Sequence, residues 1–189
     1  DLDNFDSETA PGSLAFVTTL CPSCGWDLDG ASDSLILHCT NCTSAWYPVG
    51  HKLKSVKFGV IEDKGENILY LPFWRIRADI SGLALNTHAD LIKVANLPRA
   101  VQPADQKEPF RFWIPAFKVR PRVFLRLAEN MTLGRRLADL KPDLPTPPYH
   151  SVTLSVTEAL ESLKSVLPSV YKPRHRINEV IPNIEVNAQ

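Results

Sequence analysis

The chain has 189 residues, 44% of them apolar, and balances 21 basic against 21 acidic side chains. That apolar share excludes a wholly disordered chain, and no run reaches the ~18 consecutive apolar residues of a membrane-crossing helix. Residues 1–50 carry seven acids and no Lys or Arg, so the remaining 139 residues hold all 21 bases and 14 acids, a net of +7.

Sixteen prolines against eight glycines argue for many short strands joined by stiff turns rather than long helices. Residues 1–12 (DLDNFDSETAPG) read as an acidic tail, not as a signal peptide. The start at Asp1 and the end at Gln189, just after an apolar run, read as cuts within a longer protein that could carry a membrane anchor or a further domain. Residues 14–20 are β-prone and lead into Cys21, and residues 34–38 read as the strand entering the second cysteine pair. Residues 53–61 partly alternate, as a half-buried strand does; Asp63–Glu66 is a turn signal and Asn67–Leu71 the expected returning strand.

Residues 74–80 alternate cleanly, with Trp74, Ile76, Ala78 and Ile80 on one face and Arg75, Arg77 and Asp79 on the other. Residues 83–94 fit either a strand pair or a short helix; residues 96–109 read as a long loop, and 110–120 as a strand. Val123, Phe124, Leu127 and Met131 have helical spacing, and a second short helix is expected over Thr132–Leu140. Lys141–Pro148 holds four prolines and reads as a stiff linker. Ser155 and Glu158 have capping-box spacing; the helix they open carries Val156, Ala159, Leu160, Leu163 and Val166 on one face and is expected to end before Pro168. Ile177–Val186 reads as a last strand.

Residues 71–77 (LPFWRIR) and 114–120 (IPAFKVR) share one pattern: aliphatic, Pro, apolar, aromatic, base, aliphatic, Arg. The expectation is a duplicated strand unit, too few copies for a solenoid. The fold class expected is α+β, mostly β with some α. It comprises a small cysteine-bearing module over residues 13–50 and a β-rich domain with short late helices over 51–189.

Cys21, Cys24, Cys39 and Cys42 form two Cys-x-x-Cys pairs separated by fourteen residues. Each pair presents two sulfurs to one side of a metal, and the intervening residues suffice for a hairpin that brings the pairs together. Zinc takes four such thiolates in a tetrahedron, here as one structural Zn2+. Gly25 suits the tight turn after Cys24, which often needs positive φ, whereas Thr43 stands at that place in the second pair. Trp26 and Trp46 are expected to cover the site. Two disulfides or a redox pair are the competing readings, and nothing indicates the secretion that stable disulfides need, so a cytoplasmic location is expected. Rubredoxin-like iron would use the same ligands with a longer gap. Residues 14–50 resemble the zinc-ribbon group of domains through the four cysteines and Gly25. Ribbons serve transcription factors, ribosomal proteins, helicases and adaptors, so the resemblance implies a fold and a metal but no role.

Phosphate binding needs Lys and Arg at the contact surface, and the ribbon segment has neither. A nucleic-acid or interaction surface would draw on Arg111, Lys118, Arg120, Arg122, Arg126, Arg135 and Arg136, with Phe110, Phe112, Trp113 and Phe117 as stacking candidates. Alternation instead sends many of those aromatics into a core. The five histidines fall in no catalytic motif, and the chain has no Gly-rich phosphate loop, H-E-x-x-H or G-x-S-x-G. His38 beside Cys39 is an alternative ligand or a surface residue. The leading expectation is a non-catalytic protein-interaction or scaffolding module, an accessory subunit or adaptor of a larger complex with protein partners. The alternatives are nucleic-acid binding through 110–136, and an enzyme with an unrecognised site.

Overall fold

The computed structural model describes residues 18–61, 65, 67–80, 83–134, 140–145, 148–172 and 186–188. The acidic tail, residues 14–17, most of the Asp63–Glu66 turn, Arg135, Arg136 and most of Ile177–Val186 lie outside the described residues. The chain forms two compact units, Asp1–Pro72 with Asp139–Thr153, and Phe73–Ala138 with Leu154–Gln189.

The first unit is built on an antiparallel sheet, β1 (Leu37–Cys39), β2 (Ser44–Val49) and β3 (Lys52–Val56), in that order. β2 and β3 pair from Ala45↔Val56 to Val49↔Lys52, so this sheet runs past residue 50, where the sequence placed a boundary. Lys52 and Lys54 therefore belong to the sheet that carries the second cysteine pair, opposite Val49 and Tyr47, and that sheet is not free of bases as the segment 13–50 alone is. Among the described residues, Tyr70 alone of the expected returning strand 67–71 makes a bridge, parallel to Tyr149. Val60 and Lys141 exchange both backbone hydrogen bonds, so the proline-rich stretch 141–148 is tied to this unit at both ends and is not a free linker.

The second unit contains β4 (Phe73–Ile76), β5 (Ala78–Ile80), α1 (His88–Val94), α2 (Pro103–Lys107), β6 (Phe112–Pro115), α3 (Pro121–Gly134), α4 (Val156–Val170) and β7 (Val186–Ala188). β4 pairs antiparallel with β6, and β5 with β7. As the alternation predicts, Ile76, Ala78 and Ile80 are buried, in one cluster with Phe112, Ile114, Leu163 and Val166, and Trp74 packs against it. The polar alternates sit opposite because successive strand side chains point to opposite faces.

Helix and strand contents are about equal among the described residues, so the class is α+β with small antiparallel sheets rather than strand-dominated. The proline count misleads because Pro103 and Pro121 open helices, where a missing N–H costs nothing. Of residues 83–94, which fit either period, 88–94 form a helix because Thr87 and Asp90 cap each other's backbone N–H, while Leu83 and Thr87 make isolated bridges to Ile80 and Pro109. The expected loop 96–109 contains α2. Within the described residues α3 is continuous through Thr132 to Gly134, where a new helix was expected. The Ser155–Glu158 box is present, but α4 continues through Pro168 to Val170. Val166, Leu167 and Val170 are all buried, and that packing holds the last turn despite the hydrogen bond that Pro168 cannot donate.

The two echo segments do not share a backbone path. Phe73–Ile76 is strand, whereas its counterpart 116–119 is bend and loop leading into α3. The segments are instead neighbours: Phe73 pairs with Pro115 and Trp74 with Ile114.

Candidate metal centre

The first cysteine pair sits at the tip of a small hairpin. Leu20 and Asp27 bridge, the Leu28 N–H donates to Thr19 O, and the Cys21 N–H donates to Trp26 O at 2.7 Å. The Gly25 N–H closes the knuckle onto Cys21 O at 2.8 Å. Asp29 and His38 then exchange backbone hydrogen bonds and deliver the chain to β1. The second pair lies in the turn between β1 and β2, closed by the pairing of Cys39 with Ser44.

The four Sγ atoms all lie within 4.8 Å of one another. Across the two knuckles, Cys21 Sγ is 3.6 Å from Cys42 Sγ, and Cys24 Sγ is 3.5 Å from Cys39 Sγ. All four thiols are free, so the disulfide reading fails in this structure. A tetrahedral metal with metal–sulfur bonds of about 2.3 Å needs sulfurs about 3.8 Å apart, close to these separations. The donor set thus fits one metal ion.

The protein surroundings treat the thiols unequally. Burial alone would raise the Cys21 thiol, yet hydrogen bonds from the Ser44 side chain and the backbone of Ser23 and Cys24 outweigh it and bring its pKa down to about 6. The Asn41 side chain and the Trp26 backbone lower Cys24. Burial pushes the Cys39 thiol up to about 11.

Ser44, which the motif did not single out, is central to the site. Its Oγ lies 3.0 Å from Cys42 Sγ and 3.5 Å from Cys21 Sγ, and it accepts the Trp46 indole N–H at 2.8 Å. Trp46 is buried with Cys21, Cys39 and Leu28, as a cover for the site requires. Trp26 does not cover the site: it is 58% exposed. His38 lies outside the cluster of clustered ligands, and its half-buried ring meets Phe58 and Tyr149 edge-on. That burial lowers its pKa, with Asp29 pulling the other way.

The basic candidates are dispersed over the second unit. Arg120, Arg122 and Arg126 are exposed, the last two one turn apart on α3. Lys118 pairs with Glu158 at 3.6 Å, Arg111 is half-buried, and Arg135 and Arg136 are among the residues not described. Phe110, Phe112, Trp113 and Phe117 are all buried and offer no platform for stacked bases.

No protein-family model, curated protein or solved structure matches this chain. Among the described residues no helix is long and apolar enough to cross a membrane.

Proposed function

We propose that the four cysteines hold one structural zinc ion and that the chain is a non-catalytic protein-interaction module, an accessory subunit or adaptor of a larger complex in the cytoplasm. The observation that carries the interaction reading is Trp26, 58% exposed and two residues beyond the ligand Cys24, with Leu20 51% exposed on the same small hairpin. Large apolar side chains beside Asp27 and Asp29 on a rigid, metal-stapled hairpin resemble the anchors of protein interfaces, where Trp is enriched. Zinc is preferred over iron on the short fourteen-residue gap between the pairs.

Metal analysis of the purified protein is expected to find one zinc per chain; iron would overturn that assignment. Affinity capture from the native cell is expected to recover a defined protein partner, and Trp26→Ala to lose it while keeping the metal. Recovery of the chain alone would overturn the subunit reading.

A second reading, nucleic-acid binding, is favoured by the exposed Arg122 and Arg126 on one face of α3. It predicts gel-shift binding that weakens steeply with salt and disappears on charge reversal of Arg120, Arg122 and Arg126. The burial of the four neighbouring aromatics counts against it.

A further inference from the structure

Within the second unit, Arg75 and Trp113 are register partners across β4 and β6. Arg111 precedes Trp113 by two residues, so strand alternation directs it to the same face. The Arg75 guanidinium carbon lies 6.0 Å from the centre of a Trp113 ring. Both arginines line a partly open cleft together with His88, Glu108, Trp113 and Thr132.

Three features make this cleft unlike an ordinary solvated face. Arg111 Nε is fully buried and has no hydrogen-bond partner among the described residues. Neither guanidinium forms an ion pair with a described residue. Burial and the charge of Arg111 together hold Arg75 below the ordinary arginine value, so two like charges face one space. Glu108 is the one acid among the lining residues, and it has another interaction of its own. A buried charged donor without an acceptor is strongly destabilising, and a bound oxyanion would relieve both that and the repulsion.

We propose that this cleft binds one phosphoryl group through Arg75 and Arg111. The cleft is small and admits a single compact head group, with the rest of a ligand outside. Two guanidinium forks, one on β4 and one just before β6, suit a tetrahedral oxyanion, which presents oxygens in several planes; a planar carboxylate is satisfied by one fork. Trp113 and Thr132 wall the cleft, and the Thr132 Oγ1 already accepts the Trp113 N–H. The inference does not depend on the metal site or on a partner protein.

Isothermal titration of the whole chain with inorganic phosphate, at ionic strength fixed with sodium chloride, tests it. Saturable one-to-one binding is expected. Arg111→Gln and Arg75→Gln are each expected to weaken it about tenfold or more, the loss of a charge-assisted pair. Arg111→Lys keeps the charge without the fork and should restore only part of the loss. The Arg122→Gln, Arg126→Gln double variant should bind as the parent does. If Arg111→Gln lowers the melting temperature, Arg75→Gln, at a half-buried side chain that contributes no buried unpartnered nitrogen among the described residues, carries the test. Tighter binding of phenyl phosphate than of inorganic phosphate would assign the group to a phosphate ester, and the reverse order to the free ion. Equal affinity for acetate, or binding that the Arg75 and Arg111 variants leave unchanged (an adventitious ion only), would overturn the proposal.

Discussion

Gly25 and Thr43 occupy matching places, each one residue beyond the second cysteine of its pair, and both are left-handed, with φ of 73° and 51°. Glycine adopts that conformation freely, whereas a β-branched residue there is strained by about 1–2 kcal/mol. The knuckle geometry therefore overrides the preference of Thr43. Thr43→Gly is expected to stabilise the metal-loaded protein by about 1 kcal/mol in urea denaturation. Gly25→Ala should cost about the same through the backbone alone, since an added Cβ would meet nothing within 4 Å. A destabilising Thr43→Gly would mean that the threonine side chain contributes more than its backbone strain.

Cys39 is fully buried, and Ser44 bridges two sulfurs of the cluster. Cys39→Ser should release the metal and unfold residues 21–46, because metal–thiolate binding supplies much of the folding free energy of so small a sheet. The helices of the second unit should persist in circular dichroism, since their core is a separate apolar cluster. Ser44→Ala should keep the fold but weaken metal affinity about tenfold or more, read by chelator competition. Cooperative loss of all structure in Cys39→Ser would make the two units one folding domain.

Gly59 touches the chain segment beyond residue 138. An added Cβ would lie 2.7 Å from Leu140 Cβ and 3.5 Å from Lys141 O, beside the Val60–Lys141 bridge. Neither atom is a freely moving tip, so Gly59→Ala should cost about 1–3 kcal/mol. Gly30→Ala should cost less, because the nearest atom, Leu37 Cδ2 at 2.8 Å, ends a flexible side chain. Equal melting temperatures for the two variants would contradict this.

Ser155 and Glu158 close the first turn of α4 reciprocally: the Ser155 N–H and hydroxyl both donate to the Glu158 carboxylate, and Ser155 Oγ accepts the Glu158 N–H. Those bonds from the Ser155 backbone and side chain, with Lys118 nearby, hold Glu158 below its ordinary value of 4.5. The sign follows: a depressed carboxylate stabilises the fold above pH 4.5, and the gain is lost as pH falls through the lower folded value. Ser155→Ala should cost about 1 kcal/mol at neutral pH. Its deficit should shrink in acid, while Glu158→Gln, which keeps the cap without a charge, should remove that part of the pH dependence. A deficit constant down to acid pH would be inconsistent with this linkage.

Features set by neighbours in sequence were legible from the outset. The two Cys-x-x-Cys pairs, the left-handed Gly25, the alternation of Ile76, Ala78 and Ile80 and the capping box at Ser155 each follow from chemistry within a few residues. The helical character of residues 88–94 was open in the pattern, because a short apolar run fits either period, and the Thr87–Asp90 cap decides it.

Contacts between distant residues were not legible. Lys141 pairs with Val60, and Lys52 and Lys54 join the sheet that carries Cys39, through pairings that no local pattern encodes. Ser44 gains its place because the β-turn folds its hydroxyl onto Cys21, 23 residues earlier. Arg75 and Arg111 read as separate solvated bases until β4 and β6 pair and enclose them beside Trp113. The sequence by itself determined the cysteine cluster that could hold a metal ion, because four thiols on two tight turns need only a hairpin to meet. Only the tertiary structure decided where the arginines stand, because long-range strand pairing and the burial that follows it fix which charges share a space.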